Sequence, residues 1–337
     1  MSHDTLSEVL RSVRLRGAIF YYVSYGPEWA AEVPPSREIA AAVMPGAEHV
    51  MEYHVLTKGD AWAAVIGQTP VRVATGDIVI FPHGDGHVMS SAPGLRPTPL
   101  DVDWVFSTRN HPKPIPFSVG GVAQADGSHP APAATNIVCG FFGCDLRPFN
   151  PLIATLPRLL HLPAVAHSGG VVAQLLHMAV AESEARRPGS DAVLERISEM
   201  LFVESLRRHV ERLPEEDTGW LAGLRDRAVG RALALLHDTP AEDWTIEQLS
   251  ERVGLSRSAL HERFVHFIGQ PPMQYLTSWR MQLATCRLRD TDAKVVDVAL
   301  DVGYESEAAF SRAFKREVGT APGTWRRERR KGGRASV

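Results

Sequence analysis

Four side chains in the first half of the chain, His54, His87, Cys139 and Cys144, are of the types that hold a borderline-soft metal ion. Two imidazoles and two thiolates suit the mixed N/S tetrahedron of Zn²⁺, and the ligands must deprotonate to bind it. Cys139 and Cys144 are five residues apart, so an unbroken strand would turn them to opposite faces. A bulge at Gly143 would bring both to one face. The same thiols also read as a redox switch, or as small apolar packing residues. A second group lies in the last third. There Arg257, Ser258, His261 and Glu262, and later Glu307, Ala308, Ser311, Arg312, Lys315 and Arg316, fall beside apolar helix stripes rather than within them. Arg can bridge guanine O6 and N7, Glu can accept from cytosine N4, and Ala can meet a thymine methyl. Lys315 and Arg316 are better placed for phosphates.

The elements that must position these groups change character along the chain. From about 17 to 147 the text reads as short strands (Ala18–Val23, Glu52–Leu56, Ala61–Ile66, Val71–Ala74, Asp77–Phe81 and Asn136–Phe142) punctuated by Gly and Pro. A spacing of about ten residues fits a sandwich or barrel. Ser91–Thr135, rich in Pro, Gly and Ser, reads as a long loop with one strand near Val102–Phe106. After Pro148 the pattern is helical. Asp191–Val210 carries Val193, Leu194, Ile197, Met200, Leu201 and Leu206 on one stripe, a core helix or a dimerisation helix. Glu211–Gly219 reads as a linker.

The last hundred residues contain an internal repeat. Thr245–Gly254 aligns with Lys294–Gly303 at an offset of 49. Beyond the glycine, Ser256, Leu260, Phe264, Gly269, Pro272 and Tyr275 pair with Ser306, Phe310, Phe314, Gly319, Pro322 and Trp325 at an offset of 50. Each copy holds a short amphipathic helix, a glycine that can take positive φ, and a serine suited to cap a second helix. Packing the two apolar faces across so short a turn makes a helix-turn-helix whose second helix fits a major groove. Two such units in register form a strong signal.

Charge and composition narrow the class. Residues 1–219 carry 17 Lys/Arg against 24 Asp/Glu, and residues 220–337 carry 19 against 15, so only the C-terminal part suits a polyanion. The tail adds Arg326, Arg327, Arg329, Arg330, Lys331 and Arg334. With 44% hydrophobic and 22% charged residues the chain is globular rather than disordered or fibrous. No apolar run reaches the ~18 residues of a membrane span. Three cysteines suit a reducing compartment, and no signal peptide is read in Met1–Gly17, so a cytoplasmic protein is expected.

Residues 228–327 resemble the DNA-binding domain of the AraC/XylS family of bacterial transcription regulators. The resemblance is carried by Trp244-Thr-Ile-Glu-Gln-Leu, Val253-Gly-Leu-Ser-Arg-Ser-Ala-Leu, Val302-Gly-Tyr-Glu-Ser-Glu-Ala-Ala-Phe-Ser-Arg-Ala-Phe-Lys-Arg and Gly319-Thr-Ala-Pro. It implies a linker helix near Pro272–Arg289 that holds two helix-turn-helix units for successive major grooves. Gly76-Asp77, Pro82, Gly84 and His87 resemble the second cupin motif, which implies an inward-facing His87 in a small barrel. Glu52–Gly59 is similar to the first motif but lacks its His-x-His and glutamate, leaving His54; Asn136–Asp145 resembles a strand of cupins that precede AraC-type domains. The expected architecture is α+β and multidomain: a cupin-like β-barrel sensor (1–147), a helical dimerisation region and linker (148–219), and an all-α domain (220–337) with two helix-turn-helix units at about 245–267 and 294–318. The resemblance implies a homodimeric regulator that binds promoter DNA in response to a small-molecule, metal or redox signal. RNA polymerase is a further partner if it activates. The alternative is a cupin dioxygenase or isomerase fused to a DNA-binding domain, which the missing motif residues disfavour.

Overall fold

The computed structural model describes residues 4–119, 133–164, 170–185 and 187–334. In chain order come α1 (Thr5–Ser12), β1 (Arg16–Tyr25), β2 (Ala30–Val33), α2 (Ser36–Val43), β3 (His49–Lys58), β4 (Asp60–Val65), β5 (Val71–Ala74), β6 (Ile78–Phe81), β7 (His87–Ser90) and β8 (Thr98–Pro99). Then follow α3 (Val102–Ser107), β9 (Ile115–Val119), β10 (Thr135–Cys144), β11 (Leu160–Leu162), α4 (Val171–Ala185) and α5 (Ser190–Arg212). The remaining elements are helices: α6 (Trp220–Arg225), α7 (Arg227–Asp238), α8 (Ile246–Val253), α9 (Arg257–Ile268), α10 (Pro272–Asp290), α11 (Val295–Asp301), α12 (Glu307–Val318) and α13 (Pro322–Arg334).

The chain forms two compact units, with boundaries different from those expected. Leu15–Cys144 and Leu156–Glu211 make one; Met1–Arg14, Asp145–Thr155 and Arg212–Val337 make the other. No separate unit corresponds to 148–219.

In the first unit, two sheets run β11-β6-β3-β10-β1-β9 and β5-β4-β7-β2-β8. Strands β3, β6 and β10 are buried on both faces, with Tyr53, Val55, Ile80, Phe81 and Phe141 at 1% exposure or less. Residues 102–107 are helical rather than extended, because Asp101 caps them by accepting from the Asp103 amide. Residues 120–132 of the expected loop lie outside the described residues. Helix α5 packs on the barrel: Leu194, Ile197, Leu201, Phe202 and Leu206 are buried, Tyr53 Oη lies 2.8 Å from Ser198 Oγ, and Phe142 meets Phe202. Gly17 permits that approach, since a Cβ there would come within 2.6 Å of Ser198 Cβ. The expected dimer stripe is therefore split. Leu194 and Leu201 are core, while Val193 and Met200 are exposed.

In the second unit the repeat folds as its residues dictate. Thr245 opens α8 with a capping box to Gln248, and Gly254 ends it in the left-handed conformation. Ser256 and Ser306 cap α9 and α12 by accepting from the Ala259 and Ala309 amides. Leu249, Leu260 and Phe264 in one copy, and Val298, Phe310 and Phe314 in the other, have no exposed surface. Helix α10 joins the copies and also anchors two distant segments. Gln282 donates to the Ser12 carbonyl, its Oε1 accepts from the Phe149 amide, and Arg289 pairs with Asp145 at 2.6 Å. These bonds explain why α1 and 145–155 belong with the C-terminal helices.

Candidate functional site

One cluster of buried polar groups lies inside the barrel. His54 on β3 stands opposite Cys139 on β10, which stands opposite Tyr21 on β1. His87 reaches the same spot from the other sheet and stacks on Phe81, with centroids 3.7 Å apart. The Nδ1 of His87 lies 3.1 Å from the Asp85 carbonyl, which can only accept, so Nδ1 carries the proton. Burial lowers the pKa of His87 to about 4 and holds that of His54 well below the usual histidine range, so both rings are neutral. His87 Nε2 is then the acceptor, and His54 donates its Nε2–H across 2.7 Å. His54 Nδ1, left bare, accepts from the Cys139 thiol at 3.0 Å, and burial pushes that thiol well above the usual range. The result is a one-way chain, Cys139 to His54 to His87 to Asp85, satisfied throughout in neutral form.

Glu52 was missed by sequence reasoning. It lies two residues before His54 on the same strand, and that period-two spacing is the signal that places it on the same face. The residue is 4% exposed, its Oε1 is 3.8 Å from His54 Nε2, and no described residue donates to its Oε2. Burial alone raises its pKa to about 8.

Two of the expected zinc ligands, His54 and His87, come together, with Cys139 beside them. Cys144 does not join them. The β10 register against β3 runs unbroken from Ile137 to Cys144, so the bulge expected at Gly143 is absent. Cys144 pairs with His49 and faces away from Cys139. Gly143 instead makes room for Met44, whose Cε would be 2.8 Å from a Cβ there. Cys139 also sits at Nδ1, the wrong edge of the His54 ring for a ligand sharing an ion with Nε2. The donors that do cluster are Glu52, His54 and His87, with ligand atoms within 4.8 Å of one another. Two nitrogens on one tetrahedral ion at about 2.0–2.1 Å would sit about 3.3 Å apart. The 2.7 Å spacing is that of a hydrogen bond, and the four-residue N/S shell is not assembled.

Glu52, His54 and Cys139 border a cavity of about 360 Å³, walled by Tyr21, Tyr25, Met89, Trp104, Phe117, Phe141 and aliphatic neighbours. Among the described residues its carboxyl groups are those of Glu52 and Asp101, and no Lys or Arg lines it.

In the other unit, Arg257, Ser258, His261 and Glu262 on α9 are all exposed. So are Glu307, Ala308, Arg312, Lys315 and Arg316 on α12, with Ser311 half-buried. Arg257 is tied to Glu247 at 2.6 Å and Arg316 to Glu317 at 2.9 Å, whereas Arg312 and Lys315 have no ion pair among the described residues. Arg263 clamps α9 to Asp226 ahead of α7 through two nitrogens.

The Cupin family matches residues 4–211 and a helix-turn-helix domain matches residues 249–328. An AraC-like transcription regulator of Streptomyces lividans is 31% identical over 325 residues, covering 96% of this chain and 98% of that one. The chain belongs to the AraC-like transcription regulators. The HTH-type regulator AlkR of Acinetobacter baylyi is 26% identical over 327 residues, covering 96% of this regulator and 99% of AlkR. The RCS-specific activator RclR of Escherichia coli is 30% identical, covering 96% and 97%. Among solved structures, the DNA-binding domain of AdpA in complex with a target DNA is 28% identical, covers 32% of this regulator and 95% of that chain, and has a TM-score of 0.30. The regulator is a DNA-binding protein. Among its described residues no helix is long and apolar enough to cross a membrane.

Proposed function

We propose that the barrel cavity is the sensor of this transcription regulator, and that an organic effector bound there changes its hold on promoter DNA. The observation that carries this is the cavity itself: aromatic and aliphatic walls with a few convergent polar groups at one place, the composition of a small-molecule site. In the same reading α9 and α12 enter successive major grooves. Arg312 contacts a base, Lys315 contacts a phosphate, and Arg257 must exchange Glu247 for DNA. Two copies associate through the exposed apolar residues of α4 and α5 (Met178, Val193 and Met200), and RNA polymerase is the further partner where the regulator activates.

The test is operator binding by the full-length protein across a panel of small apolar compounds, with the tryptophan fluorescence change that is lost in Trp104→Phe reporting entry into the cavity. A ligand that perturbs Trp104 and shifts operator affinity is the expected result. A panel that fills the cavity without moving operator affinity would sink the sensor reading.

A second reading, zinc, is favoured by the proximity of Glu52, His54 and His87. Holding an ion there requires the His54 proton to move from Nε2 to Nδ1, from which it would be donated to Cys139 Sγ as an orienting neighbour, and the two rings to separate. Metal content after mild purification, in the protein and in His87→Ala, decides it. Stoichiometric zinc lost in the variant is the outcome that supports this reading.

A further inference from the structure

We propose that the cavity takes an amphipathic organic cation, an apolar body bearing one amine or quaternary ammonium head, with Glu52 as the counter-ion of that head. The inference rests on the sensor reading above and names its ligand class.

Four observations converge. Glu52 is buried at 4% exposure, borders the cavity, and its Oε2 receives no hydrogen bond from any described residue. An uncompensated carboxyl in such surroundings is costly, so a partner is expected from outside the chain. The protic neighbours do not supply one as they stand: Tyr21 Oη makes no hydrogen bond to it. Cys139, His54 and His87 spend their protons on one another and on Asp85, and the nearest nitrogen, His54 Nε2, is 3.8 Å from Glu52 and already donates to His87. The lining offers acids and no base. Asp101 is the other ionisable acid, and among the described residues no Lys or Arg is present to neutralise a carboxylate or phosphate, whereas an ammonium head meets a carboxyl that can ionise as it binds. Finally, the walls include the rings of Tyr21, Tyr25, Trp104 and Phe117, whose faces attract a cation as well as an apolar body.

The experiment is calorimetric titration of the full-length protein with three compounds sharing one alkyl chain: octyltrimethylammonium, octan-1-ol and octanoate. The quaternary head cannot titrate and cannot donate a hydrogen bond, so it reports charge alone. The ammonium should bind about ten-fold or more tighter than the alcohol, with octanoate weakest. Glu52→Gln should lose about ten-fold in ammonium affinity while keeping its affinity for the alcohol, which also shows that the variant's cavity is intact. If that variant does not fold, the head-group order in the unaltered protein still decides. Equal binding of ammonium and alcohol, or ammonium binding unchanged in Glu52→Gln, overturns the inference. So does stoichiometric, Glu52-dependent binding of Zn²⁺ with no ammonium binding. Glu52-dependent ammonium binding that leaves operator affinity unmoved upholds the cation site and overturns only the sensor reading.

Discussion

At Glu52 a carboxyl whose pKa is pushed up to about 8 lies against two histidines that burial keeps neutral. Its effect on stability has an unusual sign. The folded state holds the Glu52 proton between the unfolded value of 4.5 and about 8, so it binds more protons than the unfolded chain there. This contribution to stability therefore falls as pH rises through that window. Glu52→Gln removes it. The variant should gain on the parent progressively from about pH 4.5 to pH 8, by up to a few kcal/mol, with no pH-dependent gain below pH 4.5. Thermal unfolding of both proteins across that range checks this, and a gap that does not widen with pH would count against a carboxyl buried without a partner. Cys139 offers a second test. Cys139→Ala removes the donor to His54 Nδ1 and leaves a buried acceptor unpaired, costing about 1–3 kcal/mol.

At the scale of elements, the two helix-turn-helix copies share a plan but not the same margins. Gly254 and Gly303 both have positive φ, at 78° and 83°, so alanine is strained at either. A Cβ on Gly254 meets nothing within 4 Å, whereas one on Gly303 would lie 2.6 Å from the Ala241 carbonyl oxygen. Gly254→Ala should cost about 1–2 kcal/mol of stability and leave DNA affinity near normal. Gly303→Ala must in addition displace backbone, and should lower both the melting temperature and operator affinity. Equal effects of the two would show that the close approach to Ala241 is unimportant. On α12, Arg312→Ala should lose roughly 1–3 kcal/mol at one base position, while Lys315→Ala weakens all sequences alike. Binding to operator variants separates the two.

For the whole molecule, the chain's path matters as much as its charge. The last helices need α1 and 145–155: Gln282, 1% exposed, is bonded to both Ser12 and Phe149, and Arg289 to Asp145. An isolated 220–337 fragment leaves those partners behind. It should melt below the corresponding transition of the intact protein, and a peptide of residues 1–14 added in excess should raise its melting temperature. No response to the peptide would mean that α1 contributes little. Operator binding should weaken steeply with salt, as Lys and Arg release counterions from phosphates. Dimerisation has a sharper test now that α5 is placed. Val193→Asp with Met200→Asp should yield folded monomers by sedimentation, whereas Glu at Leu194 or Leu201 should unfold the barrel, since both are core.

The local features that short-range chemistry dictates were legible in the sequence: the paired caps Ser256 and Ser306, the left-handed glycines and most strands. They depend on residues within a few positions of one another, so repeat and periodicity expose them. His54 and His87 were placed together by motif, and Glu52 was within reach of the same period-two argument. Other features depend on partners far along the chain. That β10 stays regular at Gly143 is decided by its ladder with β3 and by Met44 beneath it, and this turns Cys144 away from the cavity. That Leu194 and Leu201 are core is decided by the barrel surface that α5 covers. That Thr5–Ser12 joins the C-terminal helices is decided by Gln282, 270 residues from Ser12. Periodicity says which face of an element is apolar; only tertiary packing decides what covers it.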